Sequence, residues 1–189
     1  MDSRHIDSLK YKDEADKCLG AAGMAIAVVA LDGSAAIASM DIDAAPDEMI
    51  EFMPEFYFEG NPRLMASASW RRLLHNFSLT TGLLIGNVLC RRMVGGLQMP
   101  SDAERQYLRD IVVQEGTETC ELEEDEADNL FANNYDRMSR LFMRRSIHSM
   151  AHEFASIIRD KRRLSRLELL QNLQFRFVRL RFRPCFQQL

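Results

Sequence analysis

Two histidines and a glutamate have the spacing of a metal site. His148 and His152 are four residues apart, and Glu153 follows directly. On a helix this spacing places both imidazoles on one face, where a divalent cation could bind. The zinc-protease motif also needs a glutamate between its histidines to act as a base, and this sequence has none there. A metal-dependent enzyme using these three residues is therefore one function class, and a pair of polar-face histidines is the structural alternative.

Arginines are concentrated in the last part of the chain, which points to an anionic partner. Residues 159–189 carry a local charge of +7, and the rest of the chain carries −11. The two parts together give the net charge of −4. Arginine interleaved with phenylalanine can contact phosphates while the rings stack on bases or enter a lipid interface. The acidic body offers an internal partner for the same charges. Contacts to nucleic acid, to an anionic surface or to the body itself are expected from Arg176, Arg179, Arg181 and Arg183.

Two acidic regions have different interpretations: the first is a partner-binding segment or a connector whose aromatics lie over the core, and the second could bind a metal or the basic segment. Residues 41–60 hold seven acids and no basic residue, and residues 121–128 hold six acids. Di-metal bundle sites need Glu-x-x-His pairs that project inward, and the sequence contains none. We therefore interpret the second region as a helix start or as a docking face for the basic segment. A small cationic cluster of Arg71, Arg72 and His75 is expected to pair with the first region.

Signatures of catalysis and of cofactor binding are otherwise absent from the sequence. There is no glycine-rich phosphate loop, no dinucleotide-binding fingerprint and no nucleophile motif, so we predict no cofactor. The polar N-terminus lacks the apolar core of a signal peptide, and the most apolar run, residues 77–89, is short for a membrane span. Well-separated cysteines predict reduced thiols in a cytoplasmic protein rather than disulfides or a zinc site: Cys18, Cys90, Cys120 and Cys185.

These side chains must be positioned mainly by helices. Residues 117–183 contain neither glycine nor proline, and their apolar residues recur at helical spacing. The apolar stripe changes phase near Arg144 and Arg145, which predicts either a kink or two helices. A long buried helix is expected from Asn61 to Gly95, in which Gly82 and Gly86 would let a neighbouring element approach closely.

Two further signals set the ends of the other elements. The sequence Ser101-Asp-Ala-Glu104 is a capping box, and it predicts a helix that ends at Gly116. Apolar residues 24–31 and 35–40 are joined by Asp-Gly, which predicts a β-hairpin after a first helix broken by Gly20 and Gly23. Because an isolated hairpin is marginally stable, it must pack on helices or pair with a second copy in a dimer-spanning sheet.

Residues 31–39, LDGSAAIAS, resemble the first hairpin of roadblock-type regulatory modules. The resemblance covers about a dozen residues, and it implies further strands, which the downstream sequence does not predict. No prediction of function rests on it.

The sequence thus predicts a mainly α-helical domain over residues 1–174: a bundle of four to six helices with one β-hairpin, at about residues 24–41, packed against it. Residues 175–189 form a basic tail whose conformation, helix, strand or disorder, the pattern leaves open. The leading function is a non-enzymatic interaction or regulatory protein that is cytoplasmic and homodimeric. The alternatives are the anion-binding and metal-dependent functions given above.

Overall fold

The computed structural model describes residues 9–46, 48–56 and 66–181, with the backbone alone for residues 66–69 and 174–181. This part of the chain contains six α-helices and a small antiparallel sheet, so the predicted helical bundle with a hairpin packed against it is confirmed. The helices are α1 (Glu14–Ala30), α2 (Ala66–Leu89), α3 (Asp102–Cys120), α4 (Glu124–Phe142), α5 (Arg145–Lys161) and α6 (Arg166–Arg181). The strands are β1 (Ile37–Asp41), β2 (Ile50–Phe52) and β3 (Arg163–Ser165).

The hairpin lies later in the chain than the sequence predicts. Residues 24–30, expected as its first strand, are the second half of α1, whose start is capped by the Asp13 side chain. Asp32 has a φ of 63° and leads into a single helical turn at Gly33–Ala35. The hairpin is formed by β1 and β2 instead. The roadblock-type resemblance therefore covers a helix end and one strand, not a hairpin.

The sheet has the order β2-β1-β3, with β1 in the centre. Met40 of β1 pairs with Ile50 on one side and with Leu164 on the other. The alanine-rich strand, which we expected to offer an edge to a second copy, is therefore paired on both sides within the chain. The edges of this sheet are β2 and β3, each three residues long. Such short edges are poor templates for pairing with another chain.

Helices α1 and α2 cross at glycines. Gly20 and Gly23 do not break α1, because both lie in its buried face and point at α2. A Cβ on Gly86 would come within 2.6 Å of the Ala27 Cβ, so only glycine permits this approach. The prediction that Gly82 and Gly86 admit the alanine-rich segment is confirmed, although that segment is a helix. The predicted start of α2 at Asn61 lies outside the described residues.

Helix α2 is the central helix, and it ends in a π-helical segment, Cys90–Gly95. By length and composition, Trp70–Gly95 could cross a membrane, with a mean hydropathy of 1.3, and half of it is buried inside the protein. A core helix that is apolar on most sides has the same composition. This segment is the one candidate of its kind in the described part of the chain, and the absence of a span stays a prediction.

The remaining helix boundaries follow local signals with one exception. The capping box at Ser101 is present, and the stripe that changes phase is divided between α4 and α5, which meet at Met143 and Arg144. Helix α3, however, does not end at Gly116. It continues to Cys120, because Gly116 is buried where a Cβ would lie 2.9 Å from the Ala127 Cβ of α4. The backbone of α6 is helical to Arg181, so the first part of the predicted tail belongs to a helix.

Candidate ligand-binding cleft

A cleft of about 680 Å³ lies between the sheet and helices α2 and α3. Five separate segments form its walls: residues 9–11, Met24 of α1, part of residues 46–56, one face of α2 and one face of α3. Most of the lining is apolar. Its apolar residues include Met24, Ile50, Phe52, Phe56, Leu83, Leu84, Val88, Ile111 and Val112. An apolar cleft of this size with a few polar groups is typical of a small-molecule site.

Ordinary periodicity brings these side chains together. In β2, Ile50 and Phe52 are two residues apart and therefore point to the same side. In α2, Thr81, Leu84 and Val88 are spaced by three and four residues and share one face. The Phe52 ring stacks on Phe56 with centroids 3.9 Å apart, and Asn76 Nδ2 donates to the Phe56 carbonyl oxygen at 2.6 Å. The hairpin wall is thereby held against α2.

Arg91 holds the N-terminal wall in place, and its side chain is 2% exposed. Its Nε and Nη2 donate to Asp16 Oδ2 at 2.9 and 2.6 Å. Its Nη1 and Nη2 also donate to the carbonyl oxygens of Leu9 and Lys10 at 2.7 and 2.6 Å. The remaining N–H reaches Asn87 Oδ1 at 3.4 Å. Every N–H of this guanidinium therefore has an acceptor within the chain.

The charge of Arg91 acts on the two titratable side chains beside it. Burial raises the pKa of Asp16, but hydrogen bonds from Arg91 and from the Lys12 backbone outweigh it and hold the pKa below its ordinary value. Arg91 also lies over the Tyr11 ring, 4.6 Å from the centroid. Burial raises the pKa of Tyr11. The phenol is thus neutral near pH 7, and it accepts a hydrogen bond of 2.7 Å from Asn87 Nδ2.

A second buried arginine orients α3. Arg92 donates from Nε and Nη2 to Glu104 Oε1 at 2.8 and 2.6 Å. Glu104 is also the carboxylate of the Ser101 capping box, so one side chain closes the helix start and anchors it to α2. Burial raises the pKa of Glu104, but the hydrogen bonds from Arg92 and Ser101 lower it by more. The pKa of this carboxyl therefore lies below its ordinary value. Helix α3 is held in the position in which Ile111 and Val112 face the cleft.

Two polar side chains of the lining have no partner in the described part of the chain. Thr81 is 3% exposed, and its Oγ1 has no hydrogen-bond partner there. The neighbouring Thr80 differs, because its Oγ1 donates to the Phe77 carbonyl oxygen at 3.0 Å. Glu115 is an exposed residue of the same lining, and partial desolvation raises the pKa of its carboxyl. A buried hydroxyl without a partner is uncommon in folded proteins and marks a place where a ligand atom can bind.

The predicted metal ligands lie elsewhere, on α5. His148 Nε2 is 2.6 Å from the Phe142 carbonyl oxygen, while His152 and Glu153 are exposed. Among the described residues no three His, Cys, Asp or Glu side chains are grouped so that they could hold a metal ion. Metal binding by His148, His152 and Glu153 stays a prediction that this geometry does not support.

The predicted anion-binding arginines are only partly described. Arg176, Arg179 and Arg181 lie on the α6 backbone, their side chains are not described, and Arg183 lies outside the described residues. Anion binding by these residues therefore stays a prediction. Just before them, Arg162 donates from Nε to Asp43 Oδ2 at 2.9 Å and pairs with Glu14.

Two arginines of the basic segment have acidic partners in the N-terminal part of the chain. Arg163 pairs with Asp41 at 2.6 Å, as Arg162 pairs with Asp43. In the second acidic region, Asp128 instead pairs with Arg109 of α3 at 2.6 Å. Arg72, from the small cationic cluster, bonds to the Glu55 backbone carbonyl. Arg162 and Arg163 therefore do form ion pairs within the chain. Their partners lie in residues 41–43, and not in residues 121–128 as the sequence predicts.

The cleft was not predicted from the sequence, because its residues come from five segments that no local spacing connects. Two features of the sequence could have indicated it. Arg91 and Arg92 directly follow an apolar run, and Thr80 and Thr81 lie in the same helix. No protein-family model matches the chain, and no curated protein is similar enough in sequence to be a relative.

Proposed function

We propose that this protein is a non-enzymatic regulatory protein whose cleft binds a small apolar molecule. The observation that carries the proposal is the cleft itself, about 680 Å³ and mostly apolar, with the buried and unpartnered Thr81 hydroxyl in its lining. Pockets of this kind are the default binding-site hypothesis in a protein without a known ligand.

The construction of the walls supports a regulatory role. Residues 9–11, the hairpin, α2 and α3 are far apart in the sequence, and a molecule in the cleft would contact all of them. Arg91 of the lining is engaged in holding these walls, as its bonds to Leu9 and Lys10 show. A ligand bound there would stabilise one arrangement of the walls, and binding at one site can thereby alter a surface elsewhere.

The first test is binding of a neutral apolar fluorophore such as Nile red to the full chain. We expect saturable binding with a rise in fluorescence and an increase in the unfolding temperature. Ile111→Trp places a larger ring in the cleft and should weaken binding at least tenfold.

Val113→Trp is the matched control, because Val113 is also a half-buried residue of α3 but does not line the cleft. It should bind the dye as the wild type does. Equal losses in both variants, or no saturable binding by the wild type, would contradict the proposal.

Self-association and the cytoplasmic location stay proposals on the strength of the sequence. Light scattering at high micromolar concentration tests the dimer, and a monomer there would exclude it. Deletion of residues 175–189 tests anion binding, which should be lost if the arginine-rich tail is responsible.

A further inference from the structure

The anionic and cationic side chains that line the cleft differ in whether they already have partners. Glu115 is the carboxylate among its described lining residues, and it has neither a hydrogen bond nor an ion pair in the described part of the chain. The two cations of the lining differ from it, because Arg91 has an acceptor for each N–H and Lys10 already has a partner. The charge that remains for a ligand is therefore negative.

Glu115 is placed so that a head group meets it while the rest of the ligand is buried. It lies four residues after Ile111 on α3, and side chains at this spacing are neighbours on one helix face. Val112 is 1% exposed and Val88 is 3% exposed, so the apolar interior begins directly beside the rim. An elongated ligand with one polar end fits this arrangement.

We infer that the ligand is a hydrophobic amine, with its apolar body between β2, α2 and α3 and its ammonium group paired with the Glu115 carboxylate. This inference rests on the proposed function. A carboxylate or phosphate at the same place would be repelled by Glu115 and would find no unused guanidinium N–H. The Thr81 hydroxyl supplies an independent polar contact for a ligand in the same cleft.

Three ligands with the same alkyl chain separate the possibilities: n-decylamine, n-decanol and n-decanoate, titrated calorimetrically into the full chain near neutral pH. We expect decylamine to bind about threefold tighter than decanol, since an ion pair with an exposed carboxylate is worth roughly that factor. Decanoate should bind more weakly than decanol.

Glu115→Gln should lower the affinity for decylamine about threefold and leave the affinity for decanol unchanged. The control is Glu118→Gln, which removes an exposed carboxylate from the same helix that accepts a bond from Gln114 and does not line the cleft. It should change neither affinity. This pair of variants separates a specific head-group contact from a general change in charge.

The pH dependence gives a second readout. Decylamine affinity should fall as the pH is lowered through the raised pKa of Glu115, whereas decanol affinity should stay constant. Two neighbouring titratable groups keep their state over that range: Tyr11 of the lining stays neutral because its pKa is raised, and Asp16, which holds Arg91, stays anionic because its pKa is lowered.

The outcomes distinguish the two proposals. If decanol and Nile red bind but decylamine binds no tighter, or if Glu115→Gln has no effect, the amine inference is overturned and the apolar cleft stands. If neither the alkyl ligands nor Nile red bind, the proposed function fails as well.

Discussion

Gly86 of α2 lies directly against Gly23 of α1: a Cβ atom on Gly86 would come within 2.5 Å of the Gly23 carbonyl oxygen. Backbone atoms cannot move aside as the end of a side chain can. Gly86→Ala should therefore push the two helices apart and lower the free energy of unfolding by about 2 kcal/mol, in spite of the better helix propensity of alanine. Chemical denaturation measures this loss.

Gly95→Ala is the matched control for that substitution. A Cβ there would meet only the Leu19 Cδ1, at 2.9 Å, which a small rotation of the leucine can relieve. We expect no loss of stability. An equal loss in both variants would show that the effect comes from helix geometry and not from the contact between the two glycines.

The buried pair of Arg91 and Asp16 makes a second prediction. Asp16→Asn leaves the guanidinium charge buried without a carboxylate, and we expect a loss of about 3–5 kcal/mol in unfolding free energy near neutral pH. The control is Asp136→Asn, whose partner Arg140 is on the surface, with side chains 59% and 72% exposed. That change should cost roughly 0.5 kcal/mol or less.

The same pair predicts a pH dependence of stability. The pKa of Asp16 is lower in the folded protein than in the unfolded chain, so its contribution is fully present above the unfolded value and is lost as the pH falls through the folded one. The stability difference between wild type and Asp16→Asn should therefore be constant near neutrality and shrink below about pH 4. A difference that grows on acidification would reverse the assigned sign.

The unpartnered hydroxyl of Thr81 makes a third prediction. Thr81→Val keeps the shape and the helix propensity while removing a buried polar group, so we expect the unfolding free energy to rise by about 1 kcal/mol. Thr80→Val is the control, because its hydroxyl donates to Phe77 and its removal should give no gain. A loss of stability in Thr81→Val would mean that the hydroxyl has a partner in solution.

The start of α6 makes a fourth prediction. Hydrogen bonds from Lys161 and Ser165 lower the pKa of Glu168 to about 2. Its carboxyl resonance in an NMR titration should accordingly move far below the range of ordinary glutamates. Lys161→Met should bring the midpoint back up, whereas Arg166→Met, which removes a nearby charge not bonded to Glu168, should leave it in place. An ordinary midpoint in the wild type would contradict the ion pair.

The parts of the fold that were predicted correctly rest on local signals. The Ser101 capping box depends on residues three apart, and the break at Arg144 follows from a stripe that changes phase within one segment. The second half of helix α1 was wrongly predicted to be a strand, for a physical reason. A short apolar run such as residues 24–31 has no periodicity that separates a buried helix from a buried strand, and Gly20 and Gly23 resemble breakers until a partner helix is known.

The cleft escaped prediction because its chemistry depends on tertiary contacts. Arg91 and Arg92 could be recognised as charges at the end of an apolar run, but their partners Asp16 and Glu104 lie on other helices. The most conspicuous pattern, His148 and His152, was visible because its spacing is local. Local spacing is what sequence analysis detects, and a site assembled from five separate segments has none.

The adjacent residues Arg91 and Arg92 bind in different directions, the first to α1 and the second to α3. A recombinant chain that replaces the first helix must therefore supply a carboxylate at the position of Asp16, and one that replaces α3 must supply another at Glu104. Without them a buried cation is left without its counter-charge. The end of α2 thus restricts modular exchange: chimaeras joined on either side of it should fold only when the matching acid is carried along.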